Sequence, residues 1–212
     1  MSRRTWPLAG RHAVPALAAG ALLLGSGRRA GWVLVGLAAA VTAFFRDPAR
    51  PLPREPGIAY AASDGVVTAV DHDIEEPWLP GGRATRVTVF LSLTDVHVNR
   101  SPVPGQVQRI ERLGDGFAPA LLRRARNNRR NRLLIEGPMG PVVLVQVAGA
   151  IARTITCWTR TGEDLVAGQR VGLIHFGSRT DVLLPAGAAD VLVASGSRVR
   201  AGVTPLARLE NR

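Results

Sequence analysis

Six short runs rich in β-branched and apolar residues divide the chain from residue 65 onward: GVVTAV at 65–70, RVTVFLS at 86–92, VHVNRSPV at 96–103, RLLIEG at 132–137, PVVLVQVAG at 141–149 and RTITCW at 153–158. Gly and Pro punctuate them at the spacing of an all-β domain, since both residues interrupt strands and supply turn geometry. One stretch among them, APALLRRARNN at 118–128, reads as a short helix. Two later segments look alike, GEDLVAGQRVGLI at 162–174 and GSRVRAGVTPLARL at 196–209. Each has a Gly turn, an apolar residue, a second Gly and a short strand, the hairpin-like unit of small barrels and sandwiches. The expected fold is mainly β, a compact barrel or sandwich domain over residues 58–212.

The N-terminal part has a different texture. AVPALAAGALLLGS at 13–26 and GWVLVGLAAAVTAFF at 31–45 are apolar, and GRRA separates them. Each falls short of the roughly 20 residues of a comfortable transmembrane helix, so together they predict a helical hairpin over 1–47 that dips into a bilayer. A cleaved secretory signal is the competing interpretation. Arg28 and Arg29 stand where small cleavage-site residues belong, and a second apolar stretch follows at once, which favours a retained anchor. Arg3, Arg4, Arg28, Arg29, Arg46 and Arg50 lie at both ends and in the middle, placing the polar parts on the cytoplasmic side of the cell membrane. Pro48, Pro51, Pro53 and Pro56 then make a stiff, extended connector over 48–57.

A net charge of +11 points to polyanionic partners. Nucleic acid fits poorly, because four Trp, one Tyr and no aromatic pattern in the basic run give bases little to stack on. An anionic membrane surface remains. All 27 basic residues are Arg, so no imine can form on the chain's own lysine. The single Cys157 excludes an intramolecular disulfide and a multi-cysteine metal site, and reads as a buried small apolar residue. His12, His72, His97 and His175 are too scattered for a helical zinc motif, and no metal is expected.

LIHFGSRTDVLLP at 173–185 sets Gly177 and Ser178 between two strand-like stretches. A tight bend is the ordinary explanation for such a pair. Asp64 and Gly65 precede a strand as a turn would, and His97 sits in a strand-like run that breaks at Pro102. Asp, His and Ser far apart in a chain can converge as orienter, base and nucleophile. The nucleophile-elbow pattern GxSxG is absent, since Thr180 stands where its second Gly belongs.

The series FFRDPAR at 44–50, SDG at 63–65, DVHVNRSP at 95–102, NNRRN at 127–131, VQVAGAIARTITCW at 145–158 and GLIHFGSRTDVLLP at 172–185 resembles the short form of phosphatidylserine decarboxylase, a pyruvoyl-dependent membrane enzyme made as a self-cleaving proenzyme. The resemblance implies scission between Gly177 and Ser178, giving a large chain of 1–177 and a small chain of 178–212 that stay associated. Ser178 would become a covalent pyruvoyl group. The amine of phosphatidylserine would condense with it as a Schiff base, and carbon dioxide would leave. His97 and Asp64 match family positions linked to cleavage and decarboxylation, His97 as acid or base and Asp64 as the group that orients a base.

Longer relatives carry two histidines spaced as HxxH where this chain has DVHVNRSP. His97 falls on the first and Arg100 on the second, and a guanidinium cannot act as a base. Either His97 covers both steps or another group does, with His175 a candidate by proximity along the chain. Arg179 follows the serine where longer forms have Thr, and is positioned in sequence to pair with the lipid's phosphate or carboxylate; Arg100 and His175 are the other candidates for binding the substrate. The Arg-rich run at 121–132 is either a solvated face or a contact for anionic headgroups. Two other readings stay open: decarboxylation of a related serine-headgroup lipid, and a non-catalytic, membrane-tethered β-barrel binding module. A homo-oligomer is compatible with either.

Overall fold

A computed structural model describes residues 4–53, 55–116, 128–149, 154–175 and 178–210. The chain forms two compact units, Met1–Ala49 and Arg50–Arg212.

The first unit is two packed helices, α1 (Trp6–Gly25) and α2 (Gly31–Phe44). Small residues let them approach: a Cβ on Gly31 would stand 2.5 Å from the Gly20 carbonyl oxygen. The first apolar run was expected to be too short to span. The helix instead starts at Trp6, takes in Arg11 and His12, tolerates Pro15 and reaches 20 residues, enough by length and composition to cross a membrane. At 14 residues α2 is shorter than that.

The second unit is built from strands, as the β-branched runs require. Its principal sheet has eight, in the order β13 (Arg198–Val199), β2 (Gly65–Glu75), β3 (Arg83–Leu91), β11 (Ser178–Pro185), β7 (Gly140–Val147), β6 (Arg130–Gly137), β5 (Gly105–Leu113) and β9 (Asp164–Leu165). Two three-stranded sheets complete it: β1 (Ile58–Tyr60), β14 (Pro205–Leu209) and β12 (Ala189–Val191), and β4 (Val98–Arg100), β10 (Arg170–Ile174) and β8 (Ile155–Cys157). The helix expected over 118–128 lies outside the described residues except for Asn128. Cys157 is half-buried rather than buried, because β8 is a short strand whose residues are all only partly covered.

Alternation along β11 sorts its side chains between two cores. Val182 and Leu184 join the main cluster with Val87, Val89, Leu133 and Leu144. Leu183 turns the other way, against Val143, Val145 and Val147. Ser178 and Thr180 therefore share the face of the main core, while Arg179 and Asp181 share the opposite one.

Two glycine turns knit the ends together. In the look-alike segments the short strands pair with distant partners, β9 with β5 and β13 with β2. The turns after them meet: Gly202 lies so close to Gly168 that a Cβ would sit 3.0 Å from the Gly168 Cα. Both glycines hold positive φ, 76° at Gly168 and 65° at Gly202, as such turns require.

Candidate functional site

Ser178 opens β11, opposite Leu91 at the end of β3. It is 0% exposed, and its Oγ has no hydrogen-bond partner among the described residues. A buried hydroxyl left without a partner is costly, so one standing here calls for a role. Phe176 and Gly177 lie outside the described residues.

His97 reaches the same region through β4. The pairing of β4 with β10 sets Val98 opposite Leu173, and the Ile174 amide donates to the His97 carbonyl at 3.3 Å. Ile174 ends the strand that leads to Ser178, so pairing brings together two residues distant in sequence. The imidazole is fully buried, with Nδ1 2.9 Å from the Asp95 carbonyl. A carbonyl only accepts, so Nδ1 carries the proton and, in the neutral ring, Nε2 carries the lone pair. Asp95 is itself held by Ser92, whose amide and hydroxyl both donate to Oδ2 at 2.8 and 2.7 Å.

Asp64 stands just before β2, whose first residues pair with the end of β3. Gly65 is needed there: its φ is 146°, and a Cβ would fall 2.0 Å from the Phe90 carbonyl oxygen. Asp64 accepts a forked pair from Arg50, at 2.5 and 2.7 Å, and the Ala201 amide at 2.8 Å. Its hydrogen bonds thus go to Arg50 and to the turn before Gly202, and the orienting contact to the His97 ring comes from the Asp95 carbonyl. Next to it, Ser63 Oγ lies 2.6 Å from Thr180 Oγ1, which ties the Asp64 loop to the Ser178 strand.

The remaining expected residues separate. Arg100 is buried and donates to the Gly168 carbonyl at 2.9 Å, so it braces the first glycine turn much as Arg50 braces the second by donating to the Ala201 carbonyl at 2.8 Å. His175 is buried with Nε2 3.1 Å from Thr156 Oγ1, and its amide donates to the Thr154 carbonyl at 3.0 Å. Arg179 points to the face away from Ser178, where it donates to Asp181 at 3.1 Å. There it lines a charged cleft of about 400 Å³ with Arg86, Arg130, Arg132 and Glu76. Among the described residues no group of three His, Cys, Asp or Glu is placed to hold a metal ion.

Burial pushes the Asp181 carboxyl above its usual range, opposed by the charges of Arg179 and Arg86. A carboxyl with a raised pKa in the fold contributes most stability below its ordinary pKa and loses it as pH climbs through the raised value. Asp181→Asn is therefore expected to flatten the decline in thermal stability above about pH 4. Unfolding midpoints of the two proteins across that window check this, and parallel curves would refute it.

Sequence reasoning missed a buried amide chain. Asn131 Nδ2 donates to Gln146 Oε1 at 2.9 Å, and Gln146 Nε2 donates to Asn99 Oδ1 at 2.8 Å. Gln146 faces Thr180 across the β7–β11 pairing, and Asn99 is two residues from His97. The chain therefore spaces the His97 strand from the Ser178 strand. Its only sequence signal is three amide residues inside otherwise apolar or basic strands.

Comparison with known proteins agrees with this arrangement. Residues 37–207 match the family model described as phosphatidylserine decarboxylase. The phosphatidylserine decarboxylase proenzyme of Symbiobacterium thermophilum is 46% identical over 211 residues, covering 99% of this chain and 95% of that protein. The proenzymes of Mycolicibacterium gilvum and Ruegeria pomeroyi are 41% and 40% identical, covering 87% and 85% of this chain and 82% and 84% of their own lengths. With a match that runs through both strands flanking Ser178 and through the His97 strand, the chain belongs to the phosphatidylserine decarboxylase family.

Proposed function

We propose that the chain is the self-processing precursor of a carboxy-lyase that converts phosphatidylserine to phosphatidylethanolamine on the cytoplasmic side of a membrane, using a pyruvoyl group made from Ser178. The observation that carries this reading is the enclosed Ser178 hydroxyl, which forms no hydrogen bond among the described residues. A hydroxyl in that state is ready to attack the carbonyl of the residue before it, and enclosure keeps water from competing.

In the processing step Ser178 Oγ bonds to the Gly177 carbonyl carbon and gives its proton to a base. The carbon–nitrogen bond breaks as nitrogen takes a proton, so an amide becomes an ester with no atom gained or lost. Removal of the Ser178 Cα proton then expels the Gly177 carboxylate and leaves a carbon–carbon double bond at residue 178. One water enters, one ammonia leaves, and a ketone caps the small chain.

That ketone supplies an electrophile for the lipid amine and draws electrons from the bond to its carboxylate. The chain's own residues fit it. His97, with the lone pair on Nε2, is the group that takes and returns protons. Asp64 and Arg50 hold the loop beside β2 rather than the ring, and the Ser63 contact to Thr180 fixes that loop to β11. The absence of lysine leaves no side-chain amine to compete for the ketone. After scission β11 still lies between β3, with eight residue pairs, and β7, with five, so the two chains stay associated. The apolar helix α1 keeps the enzyme at the surface where its substrate resides.

Intact-mass analysis of the membrane-assembled protein tests this. The expected result is two chains, the smaller starting at residue 178 with a keto cap in place of an amine. A single full-length chain in active material would overturn the reading.

A further inference from the structure

The connector enters the β-domain at Arg50, whose side chain is 4% exposed and ends between two segments far apart in sequence. Its Nη1 and Nη2 donate to Asp64 at 2.5 and 2.7 Å, and Nη1 also donates to the Ala201 carbonyl at 2.8 Å. The Ala201 amide donates back to Asp64 at 2.8 Å. Resting on the reading of Ser178 as the reactive centre, we propose that Arg50 is a positioning residue for self-processing and turnover, acting through the loop at 61–64 to set the spacing of the His97 and Ser178 strands, and that the Asp64 carboxylate serves that lock and not the proton transfers.

The loop between β1 and β2 touches both strands. The Ala62 carbonyl accepts the Arg100 amide at 2.8 Å, three residues from His97. Ser63 Oγ meets Thr180 Oγ1 at 2.6 Å, two residues from Ser178. At about 3.3 Å per residue these two links lie about 10 and about 7 Å along the chain from the reacting groups. Ala61 adds a third, since its amide donates to the Thr204 carbonyl at 2.9 Å and its carbonyl accepts the Gly202 amide at 2.8 Å. Ala61, Ala62, Ser63 and Thr180 are all fully buried, so a shift of this loop displaces one strand against the other.

Asp64 is where the connector takes hold of the loop. Its side chain is 14% exposed, and its hydrogen bonds among the described residues go to Arg50 and the Ala201 amide. A carboxylate so enclosed needs a cation, and the guanidinium fork matches both of its oxygens. Pro53 makes a second contact from the connector: a Cβ on Gly168 would stand 2.7 Å from Pro53 Cδ, on the turn whose carbonyl Arg100 holds. The connector thus braces both glycine turns. Arg50, Pro53 and Asp64 precede the scission point while Thr180 and Ala201 follow it, so the lock joins the large chain to the small one.

The test compares full-length Arg50→Met, Asp64→Asn and the double variant Arg50→Met with Asp64→Asn, each held well below its unfolding midpoint while intact mass follows cleavage. Each single change leaves one enclosed charge without its partner and is expected to slow cleavage by about a hundredfold, the usual cost of misplacing reacting groups by about 1 Å. The double variant removes both charges and is expected to cleave within about tenfold of the parent rate. Matured single variants should show a lowered kcat with KM for phosphatidylserine unchanged, because Arg50 acts through the loop and not on the lipid. Where a single variant does not fold, the double variant decides alone. A double variant that folds and cleaves as slowly as Asp64→Asn, or does not cleave, would overturn the proposal, since the carboxylate would then be needed for the chemistry itself. A double variant that does not fold would overturn it too, as would a parental cleavage rate in Arg50→Met or a rise in KM in place of the fall in kcat. Failure of the parent chain to cleave would instead strike the reading of Ser178.

Discussion

Ser178→Ala is expected to yield a single uncleaved chain with no detectable decarboxylation of phosphatidylserine. The effect follows from chemistry and not from folding. Ser178 Oγ makes no hydrogen bond among the described residues, so its removal breaks none of them and leaves an apolar methyl in a fully covered position. Such a change typically costs less than about 1 kcal/mol, and relieving an unsatisfied buried hydroxyl can be stabilising. β11 keeps its pairing with β3 and β7, which depends on backbone groups. The thermal unfolding midpoint should match that of the parent proenzyme while the mass shows one chain. Release of carbon dioxide from phosphatidylserine by this variant would reject the pyruvoyl mechanism outright, because the chain would then hold no ketone and has no lysine to replace it.

How much of this was legible in the sequence depends on the range of the interaction involved. Strands could be located because β-branched runs and intervening Gly and Pro act locally, and β2, β3, β6, β7 and β8 form where those runs lie. Their partners could not, since pairing in the principal sheet is set by long-range register: β11 inserts between β3 and β7, and β13 returns to β2. The same distinction governs the site. Ser178 and His97 stand in segments whose residues carry the family resemblance, and pairing of β4 with β10 draws them to one end. Arg179 is adjacent to Ser178 in sequence, yet alternation along β11 sends it to the opposite face to meet Asp181. Arg100 and Asp64 illustrate a second limit. The sequence reads Asp64 as the group that orients a base and Arg100 as a substrate contact at the place of a second histidine; the fold adds contacts to distant turns that no local pattern reveals, from Asp64 to Arg50 and the Ala201 amide and from Arg100 to the Gly168 carbonyl. The length of α1 escaped because hydropathy ends at residue 13, while helix propensity carries the backbone order back to Trp6 through Arg11 and His12.

His97→Ala is expected to lower decarboxylation by a factor on the order of 10²–10⁴, the usual contribution of a positioned acid or base. Three contacts support the proposed role of the ring. The Asp95 carbonyl fixes the proton on Nδ1, which leaves Nε2 as the basic nitrogen. Asp95 is in turn anchored by Ser92 through its amide and hydroxyl, so the carbonyl that sets the tautomer belongs to a closed turn. The Ile174 amide holds the His97 backbone against the strand that runs into Ser178. Arg100, at the place of the second histidine in longer relatives, is always protonated and bound to the Gly168 carbonyl, so it cannot share the work. If His97 serves both steps, the variant also remains uncleaved; if another group starts processing, it yields two chains that bind phosphatidylserine and release carbon dioxide slowly. Cleavage measured by mass and turnover measured by carbon dioxide release separate these outcomes. Normal cleavage together with normal turnover would remove His97 from the chemistry, and with it the significance of the tautomer that Asp95 imposes.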